Sequence, residues 1–343
     1  LAVCGVSGYF LGEGIKKYGK SATGKWILAA GVALNLSMLG FFKYIDFLIG
    51  NLNLLPFVEL PYVGVALPIG ISFFTFQMIS YLVDVYRGSI NAPTSLTKVL
   101  LYLSLFPQLI AGPIVRYTDI QHEMDNRRFN LANFSAGVSR FAIGLGKKVI
   151  LANTAGSLVT VFMDGPAGEM SVLGAWFGIV LYALQIYFDF SGYSDMAIGL
   201  GKMFGFTYPE NFRYPYVSRS ATEFWRRWNM SLGSFFRDYV YIPLGGNRRL
   251  QMRNIFVVWA LTGLWHGASW NFVLWGLYFF VLLVIEKTFL LRWFEKLPAW
   301  ISHVYFIFIV LFGWVFFYFT DMAQGMRFFG ALFGLDGQPL IDT

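Results

Sequence analysis

The chain has 343 residues, of which 57% are hydrophobic and only 13% are charged. Soluble domains carry about 25% charged residues, so the composition excludes an ordinary soluble protein and places most of the chain in lipid. The formal net charge is +7, and the basic residues fall in short segments between apolar runs, as in the cytoplasmic loops of membrane proteins. The expected partners of these charges are anionic lipid headgroups and phosphorylated substrates, and not nucleic acid.

Cys4 is the only cysteine, so no internal disulfide can form. Cys–His ligand spacings are lacking too, and we therefore expect no metal site. The chain opens inside the apolar stretch Leu1–Leu11 and ends in a loop-like segment, Gly337–Thr343. We expect an internal portion of a longer protein, folded as a single membrane domain over residues 1–343.

A membrane span needs roughly 20 apolar helical residues. The predicted spans are Trp26–Ile49, Val63–Val85, Gly137–Met163 (interrupted by Lys147 and Lys148), Val172–Phe206 and Ile301–Phe319. A continuous helix over Asn254–Ile285 would be roughly 46 Å long. That is too long for an upright span, so we predict a strong tilt or a break near Gly263–Ser269.

The apolar run Leu100–Val115 carries two prolines and a glycine, at Pro107, Gly112 and Pro113. Proline removes a backbone donor and disfavours helix for the residue before it. We predict a broken or re-entrant element. Such backbone is tolerated at membrane depth only inside protein or beside a water-filled cavity.

The loops differ in charge, which predicts the orientation of the chain. Glu13–Lys25 and Arg87–Lys98 are basic, and Arg213–Arg253 holds eight arginines. Asn51–Tyr62 has no Lys or Arg, and Asp164–Ser171 is acidic. The positive-inside rule therefore predicts that the three basic segments face the cytoplasm.

Two carboxylates, Asp189 and Asp195, stand within an aromatic, apolar run. Charges in a span are costly and are usually paired or functional. One interpretation is that the two aspartates form salt bridges to other helices, with Arg116, Arg226 and Arg227 as candidate partners. The other interpretation is that they have a direct role in a reaction cavity.

His266 differs in its surroundings from the two other histidines. It lies in an apolar stretch between small residues and tryptophans, whereas His122 lies in a polar loop and His303 near a predicted membrane interface. Histidine is the side chain best matched to proton transfer near neutral pH, and Gly267 leaves room for another group to approach. By these features alone, a buried structural histidine and a catalytic one remain equal alternatives.

The segment Ser220–Tyr239 is predicted to be one amphipathic helix that starts at a capping box, Ser220–Glu223. Arg226 and Arg237 lie opposite its apolar stripe, and Asn229 lies at the edge of the stripe. One interpretation is an interfacial helix on the cytoplasmic leaflet. The other places the helix beneath the cavity, with its arginines on the phosphates of an acyl donor.

The polar segments resemble the membrane-bound O-acyltransferase family, and most closely its bacterial alginate O-acetyltransferase branch. The resemblance spans nearly the whole chain, and its motifs are Leu67–Phe74, Phe106–Ile114, Phe188–Asp195, Pro209–Phe212, Glu223–Asn229, Arg237–Asn247 and Leu264–Gly267. It implies an all-α polytopic fold, a ring of tilted helices with re-entrant or broken helices around a central cavity or tunnel.

The resemblance also implies the chemistry of the site. The family's catalytic histidine corresponds to His266. A second polar position is histidine in many bacterial relatives and is Asn229 here. Because asparagine cannot take a proton from a hydroxyl, we assign proton transfer to His266 and positioning to Asn229. The residues expected to bind substrate are Arg226, Arg227, Trp228, Arg237, Trp265, Asp189 and Asp195.

The function that the resemblance implies is transfer of an acetyl group from a cytoplasmic thioester to hydroxyls of an exported polysaccharide, directly or through an extracytoplasmic acetyltransferase partner. Acetyl-coenzyme A is the expected donor, no bound cofactor is expected, and the expected location is the bacterial cytoplasmic membrane. The alternatives are D-alanyl transfer towards teichoic acid and a non-enzymatic transporter or flippase. With no Walker loop and no nucleophile elbow, transfer without a covalent enzyme intermediate is the simpler mechanism.

Overall fold

The computed structural model describes residues 1–90, 95–128, 130–165, 170–335 and 337–341. Two loops used to predict the orientation, residues 87–98 and 164–171, therefore fall partly outside the described residues. Within the described ranges the chain is helical and contains no β-strand. The prediction of an all-α polytopic membrane protein is confirmed.

The α-helices are numbered in chain order. They are α1 (Ala2–Tyr18), α2 (Ala22–Leu52), α3 (Ile71–Arg87), α4 (Leu96–Ser104), α5 (Phe106–Leu109), α6 (Tyr117–Asp125), α7 (Leu131–Gly146), α8 (Asn153–Met163), α9 (Val172–Met203), α10 (Ala221–Phe224), α11 (Met230–Phe236), α12 (Gln251–His266), α13 (Trp270–Ile285), α14 (Leu291–Phe294), α15 (Ala299–Tyr318) and α16 (Met322–Leu332). Shorter turns of π-helix occupy Lys147–Ala152, Arg237–Tyr241 and Glu286–Leu290, and a 3₁₀ turn occupies Pro215–Val217.

Four helical stretches in the described part of the chain are long and apolar enough to cross a membrane. They are Ala22–Leu52, Val172–Met203, Trp270–Phe294 and Ala299–Tyr318. The first, second and last confirm the spans predicted from Trp26, Val172 and Ile301. The third begins directly after the break that was predicted near Gly263–Ser269.

The predicted helix over Gly137–Met163 forms, but with a change of hydrogen bonding at the two lysines. The chain is helical from α7 to α8, and the intervening π-helix begins at Lys147. A π-helix accommodates an extra residue within an α-helix and often marks a functional position. This helix is not among the four candidate spans.

The predicted span Val63–Val85 is wrong at its start, because α3 begins only at Ile71, and α3 is not among the four candidate spans. Pro68 lacks a backbone donor, and Gly70 stands in a left-handed conformation with φ 76°. A Cβ on Gly70 would lie 2.3 Å from the Leu109 carbonyl oxygen, so this turn also needs a residue without a side chain. Both features prevent α3 from extending backwards.

The broken element predicted at Leu100–Val115 is confirmed. Helix α4 ends at Ser104, and α5 is a single turn from Phe106 to Leu109 with a proline in its first turn. The following residues up to Arg116 are not helical. The buried Gln108 side chain donates to the Tyr102 carbonyl at 2.9 Å, so a carbonyl near the end of α4 has a partner inside the bend.

The described residues form two compact units, one from Leu1–Phe141 with Asp195–Glu210 and the other from Ala142–Ser194 with Asn211–Thr343. In the first unit α1, α2 and α3 pack closely because glycines replace larger side chains where they meet. Cβ atoms on Gly8 and Gly31 would lie 2.1 Å from the Met78 sulfur and 2.7 Å from a Leu82 methyl group. Close approach across small residues is a common way for membrane helices to associate.

The second unit has an aromatic core. Its largest fully buried side chains include Trp275, Trp314, Phe224, Phe279 and Phe306. Phe224 contacts Phe306 and Trp314 at ring-centroid distances of 5.5 and 6.3 Å. These contacts join the one-turn helix α10 to the long helix α15, so α10 is supported by tertiary packing and not by its own length.

The first turn of α9 is completed by a distant part of the chain. The Val172 and Leu173 backbone N–H groups donate to the carbonyls of Pro339 and Leu340 at 3.0 and 3.1 Å. The Trp176 indole donates to the Leu332 carbonyl at 2.9 Å. The first N–H groups of a helix lack partners within the helix, and here the segment at residues 337–341 provides them.

Candidate active site

His266 is the last residue of α12, at the break between two helices of the second unit. Gly267 is extended, and α13 starts at Trp270. The half-buried imidazole therefore lies at a helix end. The two helices that meet there fix its backbone position.

Two glycines bring α12 and α13 into backbone contact beside this break. A Cβ on Gly263 would lie 2.4 Å from the Phe272 carbonyl oxygen, and one on Gly276 would lie 2.5 Å from the Trp259 carbonyl oxygen. Any side chain at either position would collide with backbone, which cannot move aside cheaply. The hairpin that presents His266 therefore depends on glycine at both positions.

Aromatic rings surround His266. The ring centroids of Trp265, Trp275 and Phe317 lie 4.9, 4.9 and 5.0 Å from that of His266, and the Phe272 ring is stacked at 6.2 Å. Trp265 and Trp275 are buried. The rings fix the orientation of the imidazole and lower the local polarity, which strengthens electrostatic interactions with any polar reactant that enters.

The space left by Gly267 is used by the protein itself. A Cβ on this residue would lie 2.2 Å from Cε2 of Phe272. Gly267 does permit a close approach, but the group that approaches is the Phe272 ring, so access of a reactant at this position stays a prediction. Gly267 thus allows Phe272 to stack on His266.

The predicted single helix over Ser220–Tyr239 is wrong. Helix α10 ends at Phe224, a turn follows, and α11 runs from Met230 to Phe236. The predicted start is correct, because the Ser220 hydroxyl accepts from the Glu223 backbone N–H at 3.0 Å. Glu223 instead accepts from the Arg219 N–H at 3.0 Å, so the reciprocal half of the capping box is replaced.

Asn229 is the residue directly before α11. It is buried and left-handed, with φ 44° and ψ 53°, a conformation that asparagine tolerates better than most residues. The Met230 N–H donates to the Asn211 carbonyl at 2.9 Å. The fully buried Asn211 side chain accepts from the Ser231 N–H and hydroxyl at 3.1 and 2.8 Å and donates to the Ser194 hydroxyl at 3.1 Å.

Ring contacts link this segment to His266. Trp228 contacts Trp314 at 5.0 Å, Trp314 contacts Phe317 at 5.6 Å, and Phe317 contacts His266 at 5.0 Å. By a second route, Trp225 contacts Trp275 at 5.4 Å, the same ring that contacts His266. The structure therefore gathers the predicted residues Trp228 and Trp265 into one aromatic cluster with His266.

The predicted arginines lie at the surface of the second unit. Arg226 and Arg237 are exposed, and Arg227 is partly exposed. Arg227 pairs with Glu223 at 2.8 Å, and Arg237 pairs with Asp238 at 2.7 Å. The Asp238 carboxylate raises the pKa of Arg237, so that guanidinium is charged at all physiological pH values.

Asp189 and Asp195 both form ion pairs, as in the structural interpretation, but with partners that we did not predict. Asp189 pairs with Lys148 of the π-helix turn, in the second unit. The buried Asp195 accepts from Arg140 at 2.6 Å, and Arg140 also pairs with Glu210 at 2.6 Å, all three in the first unit.

The prediction that Arg226 or Arg227 pairs with Asp189 was wrong. A role of either aspartate in substrate binding stays a prediction.

The other two histidines have surroundings that suit structural roles. His122 is exposed on α6. His303 is half-buried, and its Nδ1 lies 2.9 Å from the Ser218 carbonyl oxygen. Both agree with the prediction that the two residues are not catalytic, and they leave His266 as the candidate.

Two polar residues that hold the site were missed. Asn211 lay within a recognised motif, but nothing in the sequence assigned its three side-chain hydrogen bonds. Glu286 is fully buried in the candidate span Trp270–Phe294. A charge inside an apolar run is usually functional or paired, and that signal could have identified Glu286.

The helices and the half-buried histidine define an all-α polytopic membrane protein with a candidate proton-transfer site at a helix break. The chain belongs to the membrane-bound O-acyltransferase family, MBOAT, whose family model matches residues 85–326.

The chain is also similar to proteins named as acetylases and acetyltransferases. The chain is 40% identical over 328 residues to "Probable alginate O-acetylase AlgI" of Azotobacter vinelandii, which covers 93% of this chain and 64% of the relative. It is 43% identical over 317 residues to the protein of the same name in Pseudomonas putida, with 90% and 64% covered. It is 36% identical over 371 residues to "Peptidoglycan O-acetyltransferase" of Helicobacter pylori, with 98% and 70% covered. The chain thus spans 64% of the length of the first two relatives.

Proposed function

We propose that this chain carries the transfer site of a membrane O-acetyltransferase. The site moves an acetyl group from a cytoplasmic thioester, acetyl-coenzyme A, towards hydroxyls of an exported polysaccharide in the bacterial cytoplasmic membrane. Transfer is direct or passes through an extracytoplasmic acetyltransferase partner. Family membership and the names of the relatives support the reaction class, and the names of the two alginate relatives support a polysaccharide acceptor.

The observation that carries the proposal is the half-buried imidazole of His266 at the break between α12 and α13, enclosed by aromatic rings. A general base must be accessible to the hydroxyl and held in one orientation. The partial exposure of His266 supports access for a hydroxyl, and its ring contacts support a fixed orientation of the imidazole. The surrounding ring of helices and the central passage stay predictions.

The mechanism needs no covalent enzyme intermediate. His266 takes the proton of the acceptor hydroxyl as that oxygen attacks the thioester carbonyl carbon. A carbon–oxygen bond forms, the carbon–sulfur bond breaks, and the proton passes from His266 to the departing thiolate. Confinement of both reactants beside one base supplies much of the rate enhancement.

The other predicted residues act on the reactants in this scheme. Asn229 orients the acceptor or donates to the carbonyl oxygen as negative charge develops there. Arg226, Arg227 and Arg237 bind the phosphates of the donor, since a guanidinium fork donates paired hydrogen bonds to phosphate oxygens. Their exposure on the second unit supports this role, because a water-soluble donor must reach them.

The test replaces His266 with Ala in the full-length protein and measures transfer of labelled acetyl groups from acetyl-coenzyme A in membranes. We expect activity to fall by at least about 10²–10⁴-fold, the usual contribution of a general base. His122→Ala, an exposed histidine on α6, is the matched control and should retain activity. Normal acetylation by the His266 variant would refute the proposal.

The same assay separates the alternatives. If D-alanyl groups on a carrier protein are transferred and acetyl groups are not, the reaction is D-alanylation. If neither group is transferred, and transport of the polysaccharide is unchanged by His266→Ala, the chain is a transporter.

A further inference from the structure

Glu286 is a completely buried carboxylate in the candidate span Trp270–Phe294. It is the first residue of the π-helix turn that follows α13. A charged group in a membrane span is retained only where the protein compensates for lost hydration. The groups that compensate for Glu286 therefore indicate what it holds.

The compensation comes from the start of α10. One carboxylate oxygen accepts from the Ala221 N–H at 2.6 Å and from the Tyr305 hydroxyl at 3.3 Å. The other accepts from the Thr222 N–H at 2.8 Å and the Thr222 hydroxyl at 2.6 Å. These are the backbone donors that lack partners at a helix start, so Glu286 caps α10 from another helix.

Helix α10 cannot hold its own position. It has four residues, far fewer than an isolated helix needs for stability. The turn after it carries Arg226, Arg227, Trp228 and Asn229. Asn211 anchors the far end of this segment, as described above, and Glu286 anchors the near end.

Helix α13 connects this anchor to the histidine. Its first turns bear Trp275, whose ring contacts His266 at 4.9 Å, and its last residue precedes Glu286. Trp225, next to α10, contacts both Trp275 and Phe279 of the same helix, at 5.4 and 4.9 Å. Helix α13 thus connects His266 to the segment that bears Asn229, in addition to the route through Trp314 and Phe317 of α15.

We propose that Glu286 is a positioning residue of the transfer site: by capping α10 it sets the place of Trp228 and Asn229 relative to His266. The expected change in kcat rests on the proposed function. The expected loss of order in residues 221–231 does not. Glu286 does not touch the reactants in this scheme.

The first test is Glu286→Gln, which keeps the side-chain volume. A glutamine amide has one acceptor oxygen, and its NH₂ group would face N–H and O–H donors. We expect kcat for acyl transfer to fall by about 10- to 100-fold, since a displacement of about 1 Å can cost that much, with a smaller change in KM for the donor. Glu295→Gln, at an exposed carboxylate just after α14, is the control and should behave as wild type.

A second variant covers the case in which Glu286→Gln does not fold. Thr222→Val removes one hydroxyl donor but leaves both backbone donors, so the protein should insert normally and lose less activity than the Glu286 variant. Leu82→Ala, at a buried residue of the first unit, provides a destabilised variant in which the hydrogen-bonding groups of Glu286 and α10 are unchanged. Its kcat per folded molecule should equal that of wild type.

Amide hydrogen exchange gives a readout that does not depend on the reaction. Glu286→Gln and Thr222→Val should accelerate exchange in residues 221–231 and leave residues 255–262 of α12 unchanged. If wild type transfers no acyl group, the proposed function fails, while selective exchange in 221–231 still supports the anchor. Three results would each overturn the proposal. The first is a wild-type kcat in Glu286→Gln, and the second is a loss of activity that is explained wholly by fewer folded molecules, as in Leu82→Ala. The third is hydrogen exchange that rises uniformly along the chain.

Discussion

The α12–α13 hairpin and the segment from Ser220 to Phe236 both contribute to the aromatic cluster around His266, but they are held by different forces. The hairpin is held by backbone contact across Gly263 and Gly276. The segment is held by buried polar side chains, Glu286 at its start and Asn211 at its end.

The difference follows from the length of the helices. Helices α12 and α13 have 16 residues each, and their own hydrogen bonds satisfy most of their backbone groups. Glycines at the point where the two helices cross are therefore enough to hold them in close contact. Helices α10 and α11 have 4 and 7 residues, so a large share of their N–H groups lacks partners within the helix. Where those groups are buried, other parts of the protein must provide their hydrogen-bond partners.

The largest expected effect on stability comes from the polar anchor. Asn211→Ala removes three side-chain hydrogen bonds in a buried site, and we expect the free energy of unfolding to fall by about 3 kcal/mol. Asn247→Ala, which affects an exposed asparagine, should cost less than about 1 kcal/mol. Thermal unfolding of both variants in detergent measures the difference, and equal midpoints would show that Asn211 is not an anchor.

The glycine contact should give the next largest effect. Gly276→Ala places a methyl group 2.5 Å from the Trp259 carbonyl oxygen, and overpacking of this kind costs about 1–3 kcal/mol. Gly40→Ala is the matched control in α2, because its Cβ would meet nothing within 4 Å. That change should stabilise the protein by about 0.5–1 kcal/mol. The prediction fails if both substitutions shift the unfolding midpoint in the same direction.

Asn229, the left-handed residue before α11, allows the effect of the side-chain amide on activity to be measured separately from the effect of backbone conformation on stability. Asn229→Ala should cost about 1 kcal/mol more in stability than Asn229→Gly, because a Cβ is strained at positive φ. Both variants lack the amide, so we expect both to lose acyl transfer to a similar extent, by about 10²-fold. Stability and activity measured together on the two variants check this, and full activity in Asn229→Gly would exclude a role for the amide.

The smallest effect is expected at the surface. Arg227→Met removes an i,i+4 ion pair with the partly exposed Glu223, and such pairs contribute only about 0.3–0.5 kcal/mol. If Arg227 also binds donor phosphate, the KM for acetyl-coenzyme A should rise while the unfolding midpoint hardly moves. Arg248→Met, outside the predicted binding set, is the reference, and an equal KM for the two variants would remove Arg227 from the donor site.

The same contrast explains what could be predicted from the sequence. The break after His266 was predictable because its causes are local: an apolar run too long for one span, with small residues clustered at Gly263–Ser269. The break before α11 was not, because the contacts beside Asn229 join different segments of the chain, as in the bond from the Met230 N–H to the Asn211 carbonyl. Helical periodicity over Ser220–Tyr239 carries no information about that contact.

Ion pairs show the same limit. The sequence indicated that Asp189 and Asp195 need cations, but not which ones. Lys148 reaches Asp189 from a π-helix turn, and the extra residue in such a turn changes the face that a lysine presents. Arg140 reaches Asp195 from 55 positions away. Partner choice depends on tertiary packing, whereas the need for a partner follows from the cost of a charge in lipid.

The segment that completes the first turn of α9 has a consequence for biosynthesis. Trp176 and its acceptor at Leu332 are 156 positions apart, and the acceptors for Val172 and Leu173 come later still. Chains are synthesised and begin to fold from the N-terminus, so α9 enters the bilayer before those carbonyls exist. Until translation has passed Leu340, the first N–H groups of α9 must donate to water or lipid headgroups. Their hydrogen bonds to the later segment therefore form late in assembly.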